Sequence, residues 1–149
     1  RRMVAVLKIN SDLERMGDLA EHIANRVRKL AETPAALPIP QQMETMATEV
    51  VSQVRDGLDA LAKADAGGAR AVIAGDRQIN QHRRAVLKEL KQAIRREPER
   101  VTTWLRLINT ARNLERIADH ATNIAEAVVY LKEGNIIRHI GSRRVSESA

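Results

Sequence analysis

The strongest constraint on this chain is an internal repeat. Leu13-Glu14-Arg15-Met16-Gly17-Asp18 returns 101 residues later as Leu114-Glu115-Arg116-Ile117-Ala118-Asp119. Laid over each other at that offset, residues 13–30 and 114–131 agree at nine of eighteen positions: Leu13, Glu14, Arg15, Asp18, Ala20, Ile23, Ala24, Val27 and Leu30 in the first copy. A repeat of this length means that one packing unit occurs twice, with matching faces to bury. Each copy carries a Glu and an Asp four residues apart, which on a helix puts two carboxylates on one side, one turn apart. Such a pair repels mildly and adds nothing to packing, so its recurrence marks the first candidate for function.

Apolar spacing makes the unit helical. Met3, Val6, Leu13, Met16, Ala20, Ile23, Val27 and Leu30 recur at threes and fours, predicting one helix over residues 3–31. No capping residue stands ahead of it, so the chain is expected to start inside a helix. Thr33 to Pro40 then holds three of the four prolines, which end the helix and stiffen the connection. Met43, Ala47, Val50, Val54, Leu58 and Leu61 mark a second helix running to about Ala64. Asp65-Ala66-Gly67-Gly68 reads as a turn, with Asp65 as candidate cap. A third helix is expected from about Ala69 to Arg95, its seam reading Val72, Asp76, Ile79, Arg83, Val86 and Leu90. Glu97-Pro98-Glu99 breaks the chain again and suits the start of a fourth helix, where acid complements the dipole. That helix, about Val101 to Lys132, has the cleanest heptad: Leu107, Thr110, Leu114, Ile117, Ala121, Ile124, Val128 and Leu131. At 1.5 Å per residue it is roughly 45 Å long, the dimension of an elongated bundle. Gly134 stops it, and the tail from Asn135 keeps Ile136, Ile137 and Ile140 as docking candidates before a frayed end.

The fold class is therefore all-α, with four long helices. Composition agrees: 149 residues suffice for one ordinary domain, and with no Phe, one Tyr and one Trp the core must be aliphatic, which suits helices better than a sandwich. Zero Cys excludes a disulfide framework and a thiolate metal site, and is consistent with a reducing cytosol. No apolar run reaches the length of a membrane span, about 18 residues. The net charge of +6 fits either attraction to an acidic surface or a solvated helical surface with basic residues spread along it. Nucleic-acid readout is not expected, because the basic residues are not interleaved with aromatics and no zinc-finger or RNP pattern occurs.

The chemistry gathers around the repeated acids. On a wheel centred on Leu114, Glu115 and Asp119 fall about 100° and 140° round, on the shoulder of the core stripe, with Arg112 and Asn123 beside them. Glu14, Asp18 and His22 take the same places in the first copy. The third helix offers Asp76 on its seam and Asn80 one turn on. Across the bundle these could complete an oxygen-rich site with Glu115 and Asp119, suited to hard cations, magnesium, calcium or manganese, and to iron if a His joins. Alternatively the acids are ion-paired, Glu115 with Arg112 or Arg116, Asp119 with Arg116, Asp76 with Arg83. Spacing alone leaves both open. None of His22, His82, His120 and His139 follows a Glu by three residues, so a ferritin-like di-iron centre is excluded; all four His read as surface or flanking residues. No P-loop, serine elbow or zincin pattern occurs.

With Leu-Glu-Arg-x-Gly/Ala-Asp twice, Asp76-Arg77-Gln78-Ile79-Asn80 on the third helix and Tyr130-Leu131-Lys132-Glu133-Gly134 closing the fourth, the chain resembles the PhoU family of phosphate transport system regulators. The resemblance covers essentially residues 1–140. It implies tandem three-helix bundles carrying E/DxxxD motifs. Residues 1–32 would then be the last helix of a truncated first repeat, 33–41 a proline-rich linker, 42–134 a complete second repeat and 135–149 a tail. The third-helix motif of the family is Asp-x-x-x-Asp, and Asn80 departs from it. The implied role is non-enzymatic: a cytoplasmic regulator that lowers phosphate uptake and its two-component signalling, peripheral to the membrane through the ATPase subunit of a phosphate ABC transporter and a sensor histidine kinase. A divalent or trivalent metal, iron, zinc, manganese or magnesium, is the implied cofactor, with Asp76, Asn80, Glu115, Asp119, Glu14 and Asp18 as ligands and His22 and Asn123 as further candidates. The apolar face of the first helix needs another cover, either the second bundle or a second copy of the chain, and a homodimer is expected. A carboxylate-bridged metalloenzyme and a plain helical oligomerisation module are the alternatives.

Overall fold

A computed structural model describes residues 2–32 and 39–134. The greater part of the proline-rich connection, and the tail with Ile136, Ile137, His139 and Ile140, lie outside the described residues. Four helices account for nearly everything else: α1 Arg2–Ala31, α2 Gln41–Lys63, α3 Ala66–Arg96 and α4 Val101–Glu133, the last preceded by a 3-10 turn at Pro98–Arg100. Helices α2, α3 and α4 pack on one another, and α1 lies along α4. Helix α3 runs antiparallel to α2 and to α4, with Glu49 of α2 meeting Gln78 of α3 and Arg70 of α3 meeting Glu133 of α4, while Asp12 of α1 meets His120 of α4.

Helix α4 is the hub, because it is buried on two sides at once. Toward α2 and α3 it presents Trp104, Leu107, Ile108 and Ala111, which join Met43, Val86, Leu90 and Ala93 in one apolar cluster. Further along, Leu114, Ile117, Ala118 and Ile124 share a cluster with Met46, Val50 and Ile79, and also with Ile9, Met16 and Leu19 of α1. Ala111, Ala118, Ala125 and Val129 have no exposed surface, and such small side chains let neighbouring helices close on a shared axis. The seams expected for α3 and α4 are the ones that pack.

Local signals hold at the helix ends. Ala64 adopts a left-handed φ of 49°, and Asp65 caps α3 by accepting a hydrogen bond from Gly67 N at 2.9 Å. Gly67 and Gly68 belong to the first turn of α3 and not to the preceding turn, which moves the helix start back to Ala66. A Cβ on Gly68 would stand 2.8 Å from Asp65 Oδ2, so the capping carboxylate needs the glycine beneath it. Gly134, at φ 72°, ends α4.

Two expected faces are corrected. On α2 the buried residues are Met43, Met46, Val50, Gln53, Gly57 and Ala60, while Leu58 is exposed. The face has rotated because Gly57 brings α2 close to Ala121 of α4 and Gln53 finds partners there, donating to Val72 O at 3.3 Å and Thr122 Oγ1 at 3.1 Å. On α1 the buried face is Ala5, Ile9, Asp12, Met16 and Leu19, whereas Met3, Val6, Leu13 and Val27 of the expected seam are exposed, with Val4 and Leu7. The offset of 101 explains the difference: Met3, Val6, Leu7, Leu13 and Val27 correspond to Trp104, Leu107, Ile108, Leu114 and Val128, the α4 residues buried toward α2 and α3. Helix α1 thus has two apolar faces, and it docks on α4 through the one that carries Ile9, Met16 and Leu19.

Candidate functional site

The long straight run of α3 beside α4 sets Asp76 and Asn80 opposite Glu115 and Asp119. All three acids are turned toward protonation. Burial is the leading cause for each: it raises Asp76 with help from the Asp119 charge, against an Asn80 hydrogen bond. It raises Glu115 against the Arg83 guanidinium, with Asp119 and Asp76 adding to it. It raises Asp119 against His120, Arg83 and Arg116. The carboxylates are therefore close enough to sense one another, and desolvation outweighs the cations around them.

The hydrogen bonds show what holds this arrangement. Asn80 Nδ2 donates to Asp76 Oδ2 at 2.9 Å and to Asp76 O at 3.1 Å, so its amide is spent within its own helix. Arg83 Nε lies 2.6 Å from Glu115 Oε1, an ion pair without hydrogen-bond alignment that ties α3 to α4. The expected ion-pair alternative occurs in altered form: Arg83 crosses the interface, but to Glu115 and not to Asp76. Asp76 Oδ1 is buried without a hydrogen-bond partner, an unmet acceptor beside the α3–α4 interface.

The donor set is hard oxygen throughout and fits a hard cation in kind. Among the described residues, however, no group of three or more His, Cys, Asp or Glu is arranged to hold a metal ion. Arg83 supplies the positive charge in the arrangement seen. Glu14, Asp18 and His22 stand exposed on α1, and no ion pair or side-chain hydrogen bond links them to another described residue. Asn123, expected beside Glu115 and Asp119, turns instead to α1, donating to Asp12 Oδ1 at 3.3 Å.

Asp12 and His120 form the part of the site that the repeat did not announce. Asp12 is 6% exposed, with its Oδ1 2.8 Å from His120 Nδ1, next in the chain to Asp119. The signal available was the spacing Ile9, Asp12, Met16, Leu19, which places a carboxyl within an apolar stripe. His82, read as a flanking residue, likewise joins two helices: Nδ1 is 2.7 Å from Gln42 Oε1 and Nε2 is 3.3 Å from Glu49 Oε2.

Comparison with known proteins puts this geometry in a family. The model of the PhoU domain matches residues 1–27 and 43–128, interrupted where the prolines lie. A phosphate-specific transport system accessory protein PhoU homolog of Pseudomonas aeruginosa is 35% identical over 147 residues, covering 99% of this chain and 61% of that protein. The homolog from Caulobacter vibrioides is 37% identical over 128 residues, covering 86% of this chain and 56% of its own length. The chain thus spans about three fifths of the curated relatives it matches. The crystal structure of PhoU from Pseudomonas aeruginosa superposes with a TM-score of 0.86 at 34% identity, over 91% of this chain and 65% of that one. The phosphate transport system regulatory protein PhoU from Streptococcus pneumoniae gives 0.79 at 31% identity, over 91% and 63%. With the family model matched over most of its length, and four helices packed as in those structures, this chain belongs to the PhoU domain family.

Proposed function

We propose that this chain is a non-enzymatic regulator of phosphate uptake, acting by contact at the cytoplasmic face of the membrane. Its partners in this reading are the ATPase subunit of a phosphate transporter and a sensor histidine kinase, and its effect is to lower transport and the starvation response when phosphate is plentiful. The observation that carries the reading is 35% identity over 147 residues with a phosphate-specific transport system accessory protein. The described helices include none long and apolar enough to cross a membrane, so membrane association is assigned to contacts.

The acidic face of α3 and α4 is the assigned metal-assisted contact surface, with Asp76, Asn80, Glu115 and Asp119 as ligands. Glu14 and Asp18, with His22, are the counterpart in the first copy. A bound divalent or trivalent cation would supply the positive charge that Arg83 now contributes. Arg83 must then release Glu115, and Asn80, short of a carboxylate, gives this chain a weaker donor than Asp at the same place. Metal content after purification tests the assignment: wild type retains ion, and Glu115→Gln with Asp119→Asn loses it. Equal content in the two proteins removes the metal from the reading.

The pH dependence of stability gives a second test. Because the folded state holds protons on Asp76, Glu115 and Asp119 more tightly than the unfolded chain, stability falls as pH rises from the ordinary carboxylate range through the raised values. In metal-free protein Asp76→Asn therefore raises Tm by a few degrees at neutral pH, and the gain vanishes in acid, where the wild-type carboxyl is already protonated. With a bound cation the sign at neutral pH reverses, since the carboxylate is then needed. Thermal scans with and without chelator check both signs; a Tm that ignores the substitution at every pH rejects the desolvated carboxylate.

The homodimer expected from the sequence is assigned to the open apolar face of α1, Met3 to Leu13, with a second copy of the chain as its cover.

A further inference from the structure

The charge of this chain is not spread evenly. Residues 77–96 contain seven basic side chains, Arg77, Arg83, Arg84, Lys88, Lys91, Arg95 and Arg96, and one acid, Glu89. That is a net +6, the same as the entire chain, and it leaves eighteen basic and eighteen acidic residues elsewhere. The remaining basic residues are balanced by acids, so the excess of positive charge equals that of this one segment.

Helical geometry gathers five of the seven into a line. At 100° per residue, Arg77, Arg84, Lys88, Lys91 and Arg95 fall within about 60° of arc on α3, and Glu89 lies about 130° from its centre. The row runs for about 27 Å. All five are exposed, and none makes an ion pair or side-chain hydrogen bond with a described residue. Other arginines of this bundle do find acids: Arg70 meets Glu133, Arg83 meets Glu115 and Arg100 meets Glu97. The row is also bare of grease, since no large apolar residue of α3 is exposed.

We propose that the outer face of α3, from Arg77 to Arg95, docks on the anionic headgroups of a phospholipid bilayer. Five cations in one straight row on a rigid helix can all reach a flat negative surface at once, which a curved or pocketed partner does not allow. Each Lys or Arg near such a surface contributes favourably, and the attraction fades within a Debye length. Without an apolar residue to insert, the contact is electrostatic, reversible and salt-sensitive. Single-stranded nucleic acid fits less well, because its binding surfaces add aromatic stacking platforms, and the one Trp of this chain is 2% exposed. The proposal is independent of the carboxylate set and of any metal.

Vesicle co-sedimentation tests it with the intact chain. Phosphatidylglycerol mixed with phosphatidylcholine should pull the protein down at low salt, phosphatidylcholine alone should not, and salt should release it. Lys88→Glu with Lys91→Glu lowers partitioning by on the order of tenfold or more. Lys8→Glu with Arg55→Glu reverses the same number of exposed, unpaired charges off the row and leaves most binding intact. Far-UV circular dichroism confirms that both variants remain helical. Failure to bind anionic vesicles overturns the proposal, as does equal loss in the two double variants, or tighter binding to RNA or duplex DNA than to the vesicles with the same dependence on Lys88 and Lys91.

Discussion

His120→Ala will destabilise the chain by about 3 kcal/mol and loosen α1 before the rest of the bundle, because it strips the main partner from a buried carboxyl. Asp12 is 6% exposed, its Oδ2 has no hydrogen-bond partner, and its Oδ1 holds His120 at 2.8 Å and Asn123 at 3.3 Å. Removing the closer donor leaves a desolvated group with one long hydrogen bond. Replacing both partners with apolar residues, Asp12→Leu with His120→Leu, recovers most of the loss, since no polar atom is then stranded. Hydrogen exchange locates the effect: amides of α1 lose protection in His120→Ala while the α2, α3 and α4 core retains it. Unchanged stability and exchange would show that apolar packing alone docks α1.

What could be read from the sequence, and what could not, divides along a physical line. Properties written within one helix were legible. The α3 seam of Val72, Ile79, Val86 and Leu90 is buried, Asp65 caps α3, and Gly134 ends α4. Periodicity and capping depend on near neighbours in the chain, so they survive without a structure.

Properties that depend on choosing between helices were not legible. The Asp12–His120 contact joins residues 108 apart, and nothing in either helix's own pattern names the other. Arg83 stands on the seam with either Glu115 or Asp76 as an available acid, and its pairing with Glu115 is a contact between helices that neither helix's own pattern selects. Asn80 bonds back to Asp76 within its own helix. The α1 face was the largest miss. Apolar spacing shows that a helix has something to bury, but a helix with two apolar faces gives no sign of which one its neighbour takes.

That second face leads to the other large expectation. In solution the chain will self-associate, and Leu7→Glu with Leu13→Glu will return it to a monomer. Met3 is 77% exposed, Val6 60%, Leu7 65% and Leu13 38%, an apolar patch on the first half of α1 that water must otherwise cover. Residues at the corresponding repeat positions of α4 are buried against a helix pair, so the patch has the shape of a bundle face and not of a scatter of surface side chains. Packing two such patches about a twofold axis is the simplest closure for identical chains, each supplying the same surface. Charges introduced at Leu7 and Leu13 strand two carboxylates at the centre of that contact, which costs more than the apolar area lost. The substitutions lie away from the Asp12 contact and from the α2, α3 and α4 core, so the monomer should keep its helical content. Light scattering across concentration reads the outcome. A wild-type mass of one chain at all concentrations rejects the dimer; a dimer that persists in the double variant rejects this face as its seat.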